Sequence, residues 1–326
     1  MRIAVIGTGA VGLRAARQLH ETEGVAAVRV VSRNPARAEW VAGELGAHAS
    51  RAEWPAVTKE VDAVVLAVVD HVQADMARVA VGDGAHVVST AGSIEAVDGV
   101  VSLDGRARAA SRCAVAGVAM SPGLSCLLAQ HVARAIDVVE EIHVAKAGTG
   151  GPACARATNA SLRGPAALWR DGRWQSEPAG SGRELVFFPD PVGGVDCYAA
   201  SSAEASLLTA AFPAARRVTA RLAATRRDKA TSWLPMLRPP HPEGLLGGVR
   251  VEVRGFTAGR AVTTVVGAVD RPAIVAGTLA SLVAVAAVLG ELEPGAGGLG
   301  VRARDAGALL AQLADRGVKV ASFVGS

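Results

Sequence analysis

Residues 3–12, Ile-Ala-Val-Ile-Gly-Thr-Gly-Ala-Val-Gly, run apolar, break into Gly-x-Gly-x-x-Gly, and continue as a helical pattern from Leu13 to His20. A chain that orders strand, glycine turn and helix this way opens a parallel α/β sheet. Ile3 to Ile6 reads as a buried strand, and Gly7 permits the tight turn out of it. Gly9 has no side chain to hold a pyrophosphate off the backbone, and Gly12 lets the helix lie close on the sheet. The unpaired N–H groups at the helix start, with Thr8, Ala10 and Val11 in the same turn, then face phosphates. Glycine turns are common, so the motif alone is weak. Its strand and helix context makes it a dinucleotide site.

The second strand, Ala26 to Val31, ends about 20 residues past the glycines, where an NAD site places a carboxylate on the ribose. Here Ser32-Arg33-Asn34-Pro35 follows instead. A carboxylate would repel the 2′-phosphate of NADP, whereas a hydroxyl and a guanidinium can bind it. NADP(H) is therefore the expected cofactor. The alternative reading is structural, with Ser32 and Asn34 capping the next helix and Arg33 solvated.

A chain of 326 residues accommodates two domains and a core that needs no staples. Its four cysteines form no Cys-x-x-Cys pair and have no His at metal-ligand spacing, so free thiols and no metal are expected. A net charge of +4 without a basic block, and 3% aromatic residues, give no platform for nucleic acid. The chain opens on a strand rather than a leader, which predicts a cytoplasmic protein. The apolar stretch Ala273 to Leu289 is barely long enough to span a bilayer and lacks aromatic anchors. It reads as a buried helix, so no membrane partner is expected.

Strands and helical patterns alternate through the first third: Ala63 to Val69, His86 to Thr90 and Cys113 to Ala116 complete a doubly wound Rossmann sheet. Ligands lie outside the carboxyl ends of such strands, so Val69, Asp70, Ser89, Thr90 and Ala91 are the expected nicotinamide neighbours. From a helix at Leu124 the pattern changes. A strand over Glu141 to Lys146 ends at Gly148-Thr-Gly-Gly151, and alternating strands follow at Val218 to Arg226, Val249 to Gly255 and Ala261 to Val269. This predicts an α+β substrate and dimerisation domain over residues 125–270, with residues 1–124 completed by 271–326 as the cofactor domain.

The glycine motif, Ser32-Arg33, the turn from Gly117 to Pro122-Gly123-Leu124, and the Asp270-Arg271-Pro272-Ala273 junction carry a resemblance. The chain resembles the saccharopine dehydrogenase (reductase)-like superfamily, including its carboxynorspermidine dehydrogenase relatives, and more loosely diaminopimelate dehydrogenase. The resemblance covers the first 135 residues well and the last 60 loosely. It implies a two-domain, dimeric, NADP-dependent enzyme acting on an amino-acid-derived imine, secondary amine or amino group. Much of that group has an Asp before the Pro-Gly, where this chain has Ser121.

Reduction of an imine needs a proton donor and groups that hold the substrate, commonly Arg on a carboxylate. Lys146, Arg156, Tyr198 and His241 are the candidates, each with a structural alternative: an exposed strand-end Lys, a solvated Arg, a core Tyr, a loop His. Ser125-Cys126 at a helix start resembles a semialdehyde dehydrogenase nucleophile, but its Leu neighbours favour a packed thiol. A carbonyl or semialdehyde reductase on the same scaffold, and a non-catalytic NADP sensor, stay open as alternatives.

Overall fold

The computed structural model describes residues 1–234 and 241–323, which divide into two units. Unit 1 comprises Met1–Ala119 and Ala273–Asp305; unit 2 comprises Met120–Pro272 and the residues from Ala306 onward. Unit 1 begins with β1 (Arg2–Ile6), α1 (Ala10–His20), β2 (Ala27–Val31), α2 (Pro35–Leu45), β3 (Ala49–Arg51) and β4 (Ala63–Leu66). It continues through α3 (Asp70–Gly82), β5 (His86–Ser89), α4 (Ile94–Val101), α5 (Asp104–Ala109) and β6 (Cys113–Val115). Unit 2 opens with α6 (Leu124–Ala133), β7 (Val138–Ala147), α7 (Pro152–Ala160), β8 (Pro165–Arg170), β9 (Arg173–Pro178), β10 (Glu184–Phe187) and β11 (Gly194–Ala199). Then come α8 (Glu204–Ala211), β12 (Arg217–Ala223), α9 (Arg226–Thr231), β13 (Gly247–Thr257) and β14 (Arg260–Asp270). The chain returns to unit 1 for α10 (Pro272–Val288), β15 (Gly295–Gly297) and α11 (Leu299–Arg302), and ends in unit 2 with α12 (Ala306–Asp315) and β16 (Lys319–Phe323).

The sheet of unit 1 runs β15-β6-β5-β4-β1-β2-β3, every pair parallel. Its central strands are apolar on both faces because helices cover both: Ile3, Val5, Val64, Val65, Leu66, Val87 and Val88 are wholly buried. Each such large aliphatic side chain contributes about 1.5–3 kcal/mol relative to exposure. The predicted doubly wound sheet is present, with small differences in length. Strand β4 stops at Leu66 rather than Val69, because Val69 is already the N-cap of α3.

The expected buried helix at Ala273 is α10, started by Pro272 where a missing N–H costs nothing. It packs tightly on α1: a Cβ at Gly277 would lie 2.6 Å from the Val11 carbonyl oxygen, and Arg14 Nε donates to Thr278 Oγ1 at 3.0 Å. Among the described residues no helix is long and apolar enough to cross a membrane.

Unit 2 holds a nine-stranded mixed sheet ordered β10-β11-β12-β7-β13-β14-β16, with β8 on β12 and β9 on β8. Only β12 and β7 pair in parallel. Ile142, Val144 and Lys146 share one face with Val218, Ala220 and Leu222 of β12 and with Val253, Val251 and Val249 of β13. Helices α6 and α8 cover that face. One expectation is corrected. The sequence pattern assigns the tail after Asp305 to the cofactor domain, whereas β16 pairs antiparallel with β14, Val265 against Phe323 through Val269 against Lys319. The edge of β14 offers a full ladder of unpaired backbone groups, and the tail satisfies it. The turn-rich piece from Trp169 to Trp174 is the hairpin β8–β9, turning at Asp171 and Gly172, both at positive φ.

Candidate functional site

Helix α1 starts at Gly9, whose extended backbone makes it the N-cap, and no side chain caps this end. The first internal bond runs from Leu13 N–H to the Gly9 carbonyl at 2.9 Å, so the N–H groups of Ala10, Val11 and Gly12 have no acceptor within the helix. The three glycines do three different jobs. Gly7 has φ +112°, and a Cβ there would sit 2.3 Å from the Ala67 carbonyl oxygen. At Gly12 a Cβ would sit 1.9 Å from the Gly7 carbonyl oxygen. At Gly9 a Cβ would meet nothing within 4 Å. Gly7 and Gly12 thus close the turn, while Gly9 leaves it open in front of the uncapped N–H groups. That opening fits a pyrophosphate.

Beside it, Thr8 Oγ1 donates to Ser32 Oγ at 3.1 Å, which holds the Ser32 hydroxyl against the glycine turn. Asn34 follows the structural alternative: its Oδ1 accepts from Arg37 N–H at 3.3 Å and caps α2 ahead of Pro35. Arg33 is exposed and forms no ion pair among the described residues. It is free to meet an anion.

The strand-end residues are tied to one another. Asp70 Oδ2 accepts from the N–H groups of Gly92 at 3.1 Å and Ser93 at 2.8 Å, joining the start of α3 to the loop after β5. Ser89 is wholly buried and donates to Gln73 Oε1 at 2.8 Å, and Gln73 Nε2 donates to the Val68 carbonyl at 2.7 Å. Thr90 Oγ1 bonds the Leu66 carbonyl at 2.9 Å, and Ala91 is buried. Only Val69 of the five presents an exposed side chain. Asp70, Ser89 and Thr90 hold the loop backbones in place with bonds already made.

In unit 2, two of the four chemical candidates lie in one register row. Tyr198 opposes Leu222, and Leu222 opposes Lys146, which opposes Val249 in turn. Neighbouring strands are spaced about 4.8 Å apart, so Tyr198 and Lys146 stand on one face about 10 Å from each other. Tyr198 is a core residue, 2% exposed, with Lys229 Nζ 5.2 Å from its ring centre. Lys146 is half-buried.

Sequence reasoning missed one residue on which the Lys146 charge acts. Glu204, the first residue of α8, is 1% exposed. Its Oε1 accepts from Ser125 Oγ at 2.6 Å and lies 3.7 Å from Cys126 Sγ, and its Oε2 accepts from Ser121 Oγ. Burial pushes the Glu204 carboxyl above the ordinary range, while Ser121, Ser125, Cys126 and the Lys146 charge pull it back. A carboxyl whose neutral form is favoured by burial can hold and pass a proton. Sequence reasoning had no purchase on it, because Ser201-Ser202-Ala203-Glu204 has the form of a capping box, although no side chain caps α8. Cys126 is wholly buried and its thiol is pushed up by burial and by Glu204, so it is the packed thiol and no nucleophile.

The His241 loop and the turn after Lys146 are brought together by glycines. A Cβ at Gly244 would lie 2.2 Å from the Thr149 carbonyl oxygen, and one at Gly148 would lie 2.6 Å from Gly247 Cα. His241 itself is exposed, its Nδ1 accepting from Glu243 N–H at 3.2 Å. Arg156 projects from α7, exposed and without an ion pair among the described residues.

Residues 1–89 match the model of an oxidoreductase family with an NAD-binding Rossmann fold. The whole chain is similar in fold to the apo histidine-tagged saccharopine dehydrogenase (L-Glu forming) from Saccharomyces cerevisiae. The TM-score is 0.68 and the identity 13%, over 99% of this chain and 100% of that one. It is also similar to C. glutamicum DAP dehydrogenase in complex with DAP (TM-score 0.53, 14% identity, 98% and 99% covered). A third similar structure is a probable dehydrogenase from Thermotoga maritima, with a TM-score of 0.50 and 12% identity over 99% and 98% of the two chains. With the open glycine turn, the family match over residues 1–89 makes this an NAD(P)-dependent oxidoreductase.

Proposed function

We propose that the chain is an NADPH-dependent oxidoreductase of the saccharopine-reductase-like type, acting on an imine or amine derived from an amino acid. The observation that carries the reading is the buried Glu204 carboxyl, bonded by Ser121 and Ser125, with the Lys146 charge acting on it. Bound NADP(H) supplies or accepts the hydride. The backbone at Gly9 to Gly12 binds its pyrophosphate, and Ser32 and Arg33 bind its 2′-phosphate.

Lys146 orients the substrate and exchanges a proton with its nitrogen. Glu204 takes up or returns the proton, with Ser121 and Ser125 holding its two oxygens in place. The superfamily Asp expected before the Pro-Gly is absent, and Ser121 instead hands its hydroxyl to a carboxylate from another element. Arg156 is free to bind a substrate carboxylate. Two of the similar structures carry saccharopine and DAP in their names, which agrees with this substrate class. In this reading the enzyme is a cytoplasmic homodimer.

The test is a screen of amino acids paired with keto acids for NADPH oxidation, with simple aldehydes and ketones as a second panel. Turnover confined to amine and keto-acid pairs supports the proposal. Turnover of the carbonyl panel without an amine would replace it with a carbonyl reductase.

A further inference from the structure

The face of the unit 2 sheet opposite Lys146 is charged. It carries Glu141, His143 and Ala145 on β7, with Arg217, Thr219 and Arg221 opposite them on β12 and Arg254, Glu252 and Arg250 on β13. The segment from β10 closes over this face. Val186 packs in one cluster with Ala145 and Ala147, and Phe188 lies 3.3 Å from where a Gly248 Cβ would stand. A cavity of about 150 Å³ remains beneath it, lined by the four arginines, His143, Thr219, Glu184 and Glu252.

The charges here do not cancel. Glu252 pairs with Arg250 at 2.6 Å and Arg254 at 2.5 Å, Glu141 with Arg254 at 3.4 Å, and Glu184 with Arg221 at 2.8 Å. His143 is spent on Thr219 at 2.8 Å and Glu141 at 3.0 Å, and burial lowers its pKa, so the ring adds no charge at neutral pH. Three carboxylates therefore face four guanidiniums. Arg217 is the one left over: it has no ion pair among the described residues, and its Nε is buried without a hydrogen-bond partner. A buried donor of this kind is costly to leave unmet. A guanidinium fork presents its donors in the geometry of an oxyanion.

We propose that this cavity is a binding site for a small oxyanion, a carboxylate or phosphate group held by Arg217 and separate from the dinucleotide turn. The full chain is titrated calorimetrically with inorganic phosphate and, separately, with succinate, at constant ionic strength against chloride. Arg33→Ala and Arg217→Gln are titrated alongside. Saturable binding of either anion is expected in wild type and in Arg33→Ala, weakened at least about tenfold in Arg217→Gln. The anion that binds more tightly identifies the group. Wild type and Arg217→Gln binding alike, loss of binding in Arg33→Ala alone, or no binding beyond chloride would overturn the proposal. Should Arg217→Gln fail to fold, Arg217→Lys keeps the charge and loses the fork. Weaker binding is expected there, and unchanged affinity counts against the site. None of these outcomes depends on the substrate screen, so this site and the imine-reductase reading fail separately.

Discussion

Arg33 stands exposed one residue past a Ser32 hydroxyl that Thr8 pins against the glycine turn, so its guanidinium is available to a 2′-phosphate. Wild type is expected to bind NADPH about 10–100-fold more tightly than NADH, and Arg33→Ala to lose most of that preference, because charge-assisted bonds to phosphate contribute on this scale. Fluorescence titration of both cofactors measures it, and equal affinities in wild type would sink the NADP assignment. In the proposed function Lys146 and Glu204 serve the chemistry instead. Lys146→Met and Glu204→Gln are expected to lower turnover about 10²–10⁴-fold on the amine pair returned by the screen while leaving NADPH affinity near wild type. Glu204→Gln keeps the volume and removes the titrating group, so the pH profile of its residual turnover should lose one limb. An unchanged profile would reduce Glu204 to a packing role.

At the level of elements, the β1–α1 turn separates two glycines that look alike in sequence. Gly12→Ala drives a Cβ into the Gly7 carbonyl and is expected to destabilise the fold by about 1–3 kcal/mol or more. Gly9→Ala meets no protein atom, so thermal stability should hold while dinucleotide affinity falls. Melting curves and cofactor titrations on the two variants should give opposite patterns. The start of β5 supplies a pH dependence. Burial and the Arg112 charge bring His86 down to about 4 from its ordinary 6.5, and its Nδ1 accepts from Cys113 N–H at 3.1 Å, which only the unprotonated nitrogen can do. Between those values the unfolded chain binds a proton that the folded chain does not. Stability is therefore whole above about pH 6.5 and falls as the pH drops towards 4. With solvent screening the loss is roughly 1–2 kcal/mol. His86→Gln should flatten that part of a denaturation series run from pH 7 to 4.5, and a parallel slope would remove His86 as its source.

For the molecule as a whole, the proposed homodimer predicts twice the chain mass in light scattering at micromolar protein, and a monomer mass would overturn it. The last residues contribute to unit 2, where β16 extends the sheet along β14. Truncation before α12 should therefore expose the β14 edge and promote aggregation, visible as loss of a single species in the same measurement.

Local signals in the sequence carry the cofactor unit. Strand apolarity, the glycine spacing and the residues after β2 act within a few positions of one another, so the Rossmann sheet, its glycine turn and the Ser32-Arg33 pair are legible from the residue order alone. Lys146 and Tyr198 are legible as chemistry-bearing types but not as neighbours, since only the β11-β12-β7 register sets them in one row. The rest needs the tertiary structure. Glu204 lies 79 positions from Ser125 in the chain and reads locally as a helix cap. Its burial, and its bonds to three side chains at the start of α6, exist only because α6 and α8 pack on one face of the sheet. Arg217 is likewise one arginine among many along the chain. Strand register counts the charges around it and finds one too few carboxylates. The tail follows the same rule, since its partner edge at β14 forms only when the sheet does. Short-range pattern determines which elements form, and long-range packing decides which side chains meet, because burial and pairing are properties of the assembled sheet rather than of any window of residues.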